Sequence, residues 1–333
     1  MKKVSLRDIA DELGVSKTLV SLVLNGKAKE NRISQEVIDK VTQVAKEKGY
    51  EPNQFAKALR TGKSKTIGLI VADISNAFYA KMARSIEDEA YSADYTVLFG
   101  SSDEDVKKAE KLIRAMMDRQ IEGLIISPTL GGDKNIELLE KNNIPYILVD
   151  RSLKNLKSSF VGVDNYEASY AAVTELITKG CKKIAHITFM DELSNIRQRQ
   201  DGYLQALKDG GLTVDKSLIK IVSSDHAENE IRKFITSIKD KADAYFLANN
   251  EIAINAIKHL HHSGVKIGNE VKVTTFDEHE AFHLLTSPIG VISQPVTEIG
   301  EMALNLLLTR INNDQKELPG EIILPTAYKV ING

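Results

Sequence analysis

The chain holds one cysteine, Cys181, among 333 residues. That excludes an internal disulfide and suits a reducing, cytoplasmic setting. Cys181 reads as a small buried apolar side chain rather than a nucleophile. Long hydrophobic runs are lacking too. Those present, such as Gly123-Leu-Ile-Ile126, are strand-sized and far short of the roughly 20 residues a membrane span needs, so no membrane partner is expected. The N-terminus lacks the charged region, apolar stretch and small-residue cleavage site of a secretory signal. Catalytic signatures are also missing. No Gly-x-Gly-x-x-Gly follows a strand-like run, and there is neither a Walker A sequence nor a Gly-x-Ser-x-Gly elbow. His259, His261 and His262 invite a metal reading, but no Cys, Asp or Glu stands beside them at familiar zinc spacing. Histidines near a helix C-terminus also interact favourably with its dipole. No enzyme, metal or cofactor is therefore expected.

What the chain does have is an uneven charge. Residues 1–66 carry 14 Lys and Arg against 8 Asp and Glu, a net of +6, and the remainder a net of −8, which together give the overall −2. A basic head on an acidic body implies a polyanionic partner for the head. The length suggests two or three domains.

The head begins with Ser5, placed as an N-cap, and Asp8 three residues on, a capping-box pattern with Asp in place of Glu or Gln. Leu6, Ile9, Ala10 and Leu13 recur at helical spacing, and Gly14 stops the helix. Ser16 caps a second helix with an apolar stripe of Leu19, Val20, Val23 and Leu24. Two short helices joined by a Gly-containing turn form the helix-turn-helix pattern, whose second helix enters the major groove of double-stranded DNA. Its first residues, Lys17, Thr18 and Ser21, are the candidates for base edges. A third helix fits Ser34 to Gly49, capped by Ser34, with Val37, Ile38, Val41, Val44 and Ala45 on one face. After the Tyr50-Glu-Pro52-Asn53 turn, Asn53–Arg60 is rich in helix formers but only two turns long, marginal alone in water. By its residues alone it is either a frayed tether or a short helix.

From Thr66 the texture becomes alternating strands and helices. Ten strand-like runs are Ile67–Ala72, Thr96–Phe99, Leu124–Ile126, Tyr146–Val149, Phe160–Val163, Ile184–Thr188, Ile219–Val222, Ala244–Ala248, Val271–Phe276 and Val291–Ser293. A last helix over Val296–Ile311 and a short strand near Glu321–Leu324 follow. This alternation predicts parallel sheets covered on both faces, and ten strands fit two doubly wound subdomains better than one. In such sheets ligands bind beyond the carboxyl ends of the strands. Polar and aromatic residues there are Asp73, Asn76, Phe78 and Tyr79; Ser127; Asp150 and Arg151; Asn249 and Asn250; Asp277; and Gln294. Arg199 is placed just before a helix beginning near Asp201.

Val4–Asn25, the Gly49–Asn53 turn and the Asn53…Ala56…Leu59 spacing resemble the lac repressor (LacI/GalR) family of transcriptional regulators, and the body resembles that family's effector domain, related to periplasmic pentose-binding proteins. The resemblance covers the whole chain. It implies an all-α helix-turn-helix domain (1–50), a hinge helix and linker (51–65) and a periplasmic binding protein-like α/β effector domain (66–333). Within the last, the first subdomain is expected over 66–164 and 295–315 and the second over 165–294 and 316–333. It further implies DNA contacts from Ser5, Ser16, Lys17, Thr18, Ser21, Asn25, Asn53, Ala56 and Lys57, with Leu59 wedged into the minor groove. Asn76, Phe78, Tyr79, Ser127, Asp150, Arg151, Arg199, Asn249, Asp277 and Gln294 match the ligand-binding residues of pentose-binding relatives. The implied protein is a cytoplasmic, nucleoid-associated homodimer, a repressor of operator DNA controlled by a small-molecule effector such as a sugar. The chain ends at Gly333 with no leucine-heptad tail, so a dimer is expected rather than a tetramer.

The chain departs from the family at several positions. Leu19 and Leu22 replace the usual Thr and Arg of the reading helix, and leucine cannot hydrogen-bond phosphate or guanine. Leu22 either touches a thymine methyl or packs inward. Ala77 replaces a proline, Asn250 an aspartate and Thr275 a glycine. The alternatives are a regulator of the same fold that responds to a nucleobase or a protein partner, and a sugar-binding transport protein, against which the missing signal and the basic head argue. The paired aromatics fit a nucleobase as well as a sugar, whereas Asp150, Arg199, Asn249 and Asp277 fit a polyol better, because carboxylates accept from hydroxyls and arginines donate in a fixed fork.

Overall fold

The computed structural model describes residues 4–50, 63–153, 158–189, 192–223, 226–312 and 320–332. Two compact units divide at Ser64/Lys65. The expected hinge contacts Asn53, Ala56, Lys57 and Leu59 lie outside the described residues.

The head consists of α1 (Leu6–Leu13), α2 (Lys17–Leu24) and α3 (Gln35–Glu47). Ser5 and Asp8 close the capping box in both directions, the Ser5 hydroxyl accepting from the Asp8 N–H (3.3 Å) and the Asp8 carboxylate accepting from the Ser5 N–H (2.7 Å). Gly14 ends α1 at φ +63, the left-handed conformation that glycine adopts without a Cβ penalty. Ser34 holds the N-cap position of α3, but its hydroxyl makes no capping hydrogen bond, contrary to the sequence expectation. The three helices bury Ile9, Ala10, Val20, Val23, Ala28, Val41 and Ala45 against one another. Each large aliphatic side chain so buried stabilises by about 1.5–3 kcal/mol.

The body contains two six-stranded sheets. The first has β1 (Thr66–Val71), β2 (Thr96–Ser101), β3 (Gly123–Ile126), β4 (Tyr146–Val149), β5 (Phe160–Val163) and β11 (Glu321–Leu324) in the order β11-β5-β4-β3-β1-β2, parallel throughout. The second has β6 (Ile184–Thr188), β7 (Ile219–Ile221), β8 (Ala244–Leu247), β9 (Lys272–Phe276), β10 (Ile289–Ser293) and β12 (Ala327–Ile331) in the order β12-β10-β9-β8-β6-β7. It is parallel except for β12, which runs antiparallel to β10. Strands such as β3 and β4 are buried at every position, as a sheet covered on both faces requires.

Two sequence expectations need correction. Residues 316–333 do not go wholly to the second subdomain, because Glu321–Leu324 pairs with β5 in the first sheet and only Ala327–Ile331 joins the second. The strand β12 itself was not expected, although Ala327, Tyr328, Val330 and Ile331 are apolar; four of its five residues are exposed. The intervening helices cover the sheets. The helix α4 (Ala77–Ser92) and the late helix α11 (Val296–Asn312) share a core with β1 through Met82, Ile86, Ile299, Leu304, Ile67 and Leu69. On the opposite side of that sheet, α5 (Val106–Met117) and α6 (Asp133–Lys141) contribute Ile113, Met116, Ile136 and Leu139. In the second subdomain α7 (Asn165–Thr178) and α8 (Ser194–Asp209) belong to the first of these cores, while α9 (Ala227–Ile238) and α10 (Asn250–His262) belong to another.

Candidate effector cleft and DNA-reading helix

Parallel pairing brings the carboxyl ends of β1, β3 and β4 to one edge of the first sheet, and those of β6, β8, β9 and β10 to one edge of the second. Asp150 follows β4 and Asp277 follows β9, and both have φ +66. Left-handed backbone is uncommon outside glycine but best tolerated by Asp and Asn. The two carboxyls thus leave their strands by the same backbone turn, and both side chains are buried.

Around Asp150 the groups are dense. Tyr79 donates its phenol proton to Asp150 Oδ2 (2.7 Å) and lies 3.3 Å from Ser127 Oγ. Burial pushes the Tyr79 phenol well above its ordinary value, which keeps it a donor. Arg151 donates from Nε to Asp150 Oδ2 (3.2 Å) and from Nη2 to Tyr79 (3.2 Å). Its terminal nitrogens also form a fork to Glu104, at 2.8 and 2.7 Å. Burial works against the guanidinium charge, but Tyr79, Glu104 and Asp150 together hold its pKa above the ordinary value. From the second subdomain, Asn195 donates to both oxygens of Asp150, at 3.1 and 3.2 Å.

Around Asp277, Gln294 donates to Oδ1 (2.5 Å) and Arg199 Nη1 approaches Oδ2 (3.5 Å). Burial pushes the Asp277 carboxyl up while Arg199 and Gln294 oppose the shift. Arg199 lies 3.6 Å over the Phe276 ring and donates to the Ala248 carbonyl (2.7 Å) and to Asn165 Oδ1 (2.8 Å). It does not precede its helix, as the sequence suggested, but lies inside α8, which starts at Ser194. The buried residues of the first turns are Asn195, Ile196 and Arg199, so a single apolar residue precedes the run that begins at Tyr203.

Asn76 caps α4, accepting from the Phe78 N–H (3.0 Å), and faces Asn250 across the two subdomains. Each amide donates to the other's oxygen, at 3.3 and 3.1 Å. The amide at Asn250 therefore supplies both a donor and an acceptor where a carboxylate would only accept. Asn249 caps α10 through the Ile252 N–H (2.9 Å). The buried Thr275 hydroxyl lies within donating distance of the Phe276 carbonyl (2.8 Å) and of the Asn249 carbonyl (3.3 Å). Phe78 belongs to the hydrophobic core, edge-on to Tyr79 with ring centroids 5.1 Å apart. The structure thus gathers Tyr79, Ser127, Asp150 and Arg151 in one network and Arg199, Asp277 and Gln294 in another. Sequence reading missed Glu104, Asn165 and Asn195. Only Asn195 carried a signal, four residues before Arg199 and therefore on the same helical face. A surface depression of about 480 Å³ between α9 and α10 shares none of these residues and is lined by both charge signs, including Glu228, Glu251 and Arg232.

In the head, Lys17 and Thr18 are exposed in the first turn of α2. Ser16 accepts from the Leu19 N–H (3.1 Å). Asn25 donates to the Ser21 carbonyl (2.6 Å) and hydroxyl (3.2 Å). Leu19 packs against the three-helix core, whereas Leu22 is half-buried and outside that cluster.

Residues 5–53 match the bacterial regulatory proteins of the lacI family, and residues 64–330 match the periplasmic binding proteins and sugar binding domain of LacI family. The chain belongs to the LacI family. The HTH-type transcriptional regulator RegA of Clostridium saccharobutylicum is 30% identical over 96% of this chain and 96% of its own. The ribose operon repressor of Halalkalibacterium halodurans is 27% identical over 98% and 97%. Among solved structures, the lac repressor dimer bound to operator and the anti-inducer ONPF has a TM-score of 0.85 at 20% identity, covering 99% of each chain, a likeness of fold. This LacI-family protein is a DNA-binding transcriptional regulator, not an enzyme. Among its described residues no helix is long and apolar enough to cross a membrane.

Proposed function

We propose that this LacI-family regulator is a repressor that binds a pseudo-palindromic operator as a homodimer, and that a small sugar, pentose-like in size, sets its operator affinity from the cleft between the subdomains. The observation that carries the effector reading is the pair of buried carboxyls Asp150 and Asp277. Each leaves its strand by the same left-handed turn, and each is backed by an arginine and an amide. Carboxylates accept from hydroxyls while guanidinium and amide groups donate, so the set matches the alternating demands of a polyol. Tyr79 is committed to this network and Phe78 to the core, which leaves little aromatic face for a stacked base and favours the sugar over a nucleobase. A relative named a ribose operon repressor supports the same class.

The effector-binding residues are Asn76, Tyr79, Ser127, Asp150, Arg151, Arg199, Asn249, Asp277 and Gln294, with Phe78 supporting Tyr79. A ligand changes operator affinity only by binding one arrangement of the subdomains better than another. Residues 51–65, with Asn53, Ala56, Lys57 and the wedge Leu59, carry that difference to the head. There Lys17 and Thr18 read base edges, Leu22 meets a thymine methyl, and Ser5, Ser16, Ser21 and Asn25 stand near phosphate. Ser16 is the freer phosphate donor, because the Ser5 hydroxyl already donates to Asp8 (2.7 Å). The protein works where its operator is, in the cytoplasm and on the nucleoid.

The test is a thermal-shift screen of aldopentoses, hexoses and nucleobases, repeated on Arg199→Ala. A sugar at a hundred times its Kd should stabilise the wild type by about 2.7 kcal/mol, and Arg199→Ala should lose the shift while still binding operator. A ligand that weakens operator binding is an inducer; one that strengthens it is a corepressor. An unaltered shift in Arg199→Ala removes the cleft assignment.

A further inference from the structure

Arg151 is the more completely occupied of the two cleft arginines. Both its terminal nitrogens are taken by Glu104 (2.8 and 2.7 Å), Nη2 also reaches Tyr79, Nη1 also reaches the Pro128 carbonyl (3.4 Å), and Nε serves Asp150. The Arg151 side chain is 9% exposed and that of Glu104 is 41%, so the carboxylate closes over the guanidinium from the solvent side.

Glu104 is brought there by an unusual piece of backbone. Asp103 and Glu104 are consecutive non-glycine residues at φ +50 and +57. That conformation is rare, costs energy, and persists only where the surroundings fix it. The surroundings do so here. The Asp103 N–H donates to the Ala72 carbonyl (2.7 Å), the Ser101 hydroxyl donates to Asp103 (2.6 Å), and Lys108 pairs with Asp103. Capping of α5 falls to Asp105, which accepts from the N–H groups of Lys107 and Lys108. Glu104 has no part in that cap, and its carboxylate pairs with Arg151.

The consequence is electrostatic. Asp150 and Asp277 balance Arg151 and Arg199, and Glu104 then tips the group to a net negative charge. A planar guanidinium with a free fork is a ready receptor for phosphate. Arg151 has no free fork to present, and an anion approaching it meets a carboxylate first.

We propose that Glu104 is a specificity-determining residue of the cleft: by saturating Arg151 it excludes phosphorylated and other anionic ligands and admits uncharged polyols. This rests on the cleft reading above and narrows it to neutral sugars.

The test uses the full chain, wild type and Glu104→Gln, with inorganic phosphate and ribose 5-phosphate as probes in calorimetric titrations. Glutamine keeps the size and one acceptor of Glu104 but removes the charge. Phosphate affinity should rise about ten-fold or more, as a like-charge contact is exchanged for a charge-assisted hydrogen-bond pair. Adding Arg151→Gln to the same background should abolish the gain. Equal phosphate affinity in wild type, Glu104→Gln and Glu104→Ala overturns the proposal, and so does a gain that survives loss of Arg151. Should both Glu104 variants fail to fold, the wild type still decides. Phosphate binding that disappears in wild-type background on Arg151→Gln overturns the proposal, and no phosphate binding by wild type supports it. Failure of the cleft reading shows itself elsewhere, as an Arg199→Ala protein whose response to uncharged sugars is unchanged.

Discussion

At the scale of single residues, burial sets the protonation state of polar groups, and the Nε2 of His186 is buried with no hydrogen-bond partner among the described residues. His186 is the clearest case outside the cleft. It is fully buried on β6, with its ring stacked against Tyr203 and against Phe246, ring centroids 4.7 and 5.1 Å away. Its Nδ1 lies 3.0 Å from the Phe246 carbonyl, which can only accept, so Nδ1 carries the proton. Burial lowers its pKa from 6.5 to about 4. The folded state therefore binds fewer protons than the unfolded chain between those values. Stability is present in full above the unfolded value and is lost as the pH falls toward the folded one. Urea unfolding should show about 2 kcal/mol lost between pH 7 and pH 5 from this residue. A His186→Gln protein should lack that part of the slope; an unchanged slope would assign the loss to other groups. The strand carrying His186 was legible in the sequence, but its neutral buried state was not, because only the packing of Tyr203 and Phe246 excludes water from it.

At the scale of elements, the helix α8 shows how a site depends on a close crossing. A Cβ added at Gly202 would lie 2.4 Å from the Tyr166 carbonyl oxygen and 2.9 Å from the Tyr170 nitrogen, both backbone atoms of α7. Backbone cannot rotate away as a side chain can. Gly202→Ala should therefore push α8 off α7 and destabilise the protein by about 1–3 kcal/mol, the usual cost of overpacking. Arg199 lies one turn earlier on the same buried face, so effector affinity should fall with stability. Thermal melts and ligand titrations of the variant check both; a melt and an affinity equal to wild type would show that the helices part freely. Elements marked by local chemistry were readable in the sequence: the Ser5 cap, the Gly14 stop, the apolar runs of β3 and β4. The start of α8 was not, because two of its first three buried residues, Asn195 and Arg199, are polar and leave only Ile196 as an apolar signal. Nor was β12, whose antiparallel partner β10 lies far back along the chain, across α11 and β11.

At the scale of the whole molecule, charge is divided along the chain, with a net of +6 over residues 1–66 and −8 over the rest. Operator affinity should fall steeply with salt. A protein making six to ten phosphate contacts loses about 10³–10⁵ in affinity between 50 and 200 mM salt, and a salt titration of operator binding should give a slope of that order. A flat titration would mean that the basic head does not engage the backbone.

The sequence by itself determined the helix-turn-helix head, the alternation that makes parallel sheets, and the polar residues at strand ends, because caps, periodicity and strand termini are written in neighbouring residues. Tertiary structure alone decided the rest. It placed Glu321–Leu324 in the first sheet and Ala327–Ile331 in the second, set Asn195 against Asp150 and Asn250 against Asn76, and turned Glu104 onto Arg151. These pairings join residues 40 to 170 or so positions apart. Their geometry follows from how crossover connections stack helices on sheets, and no local pattern records it.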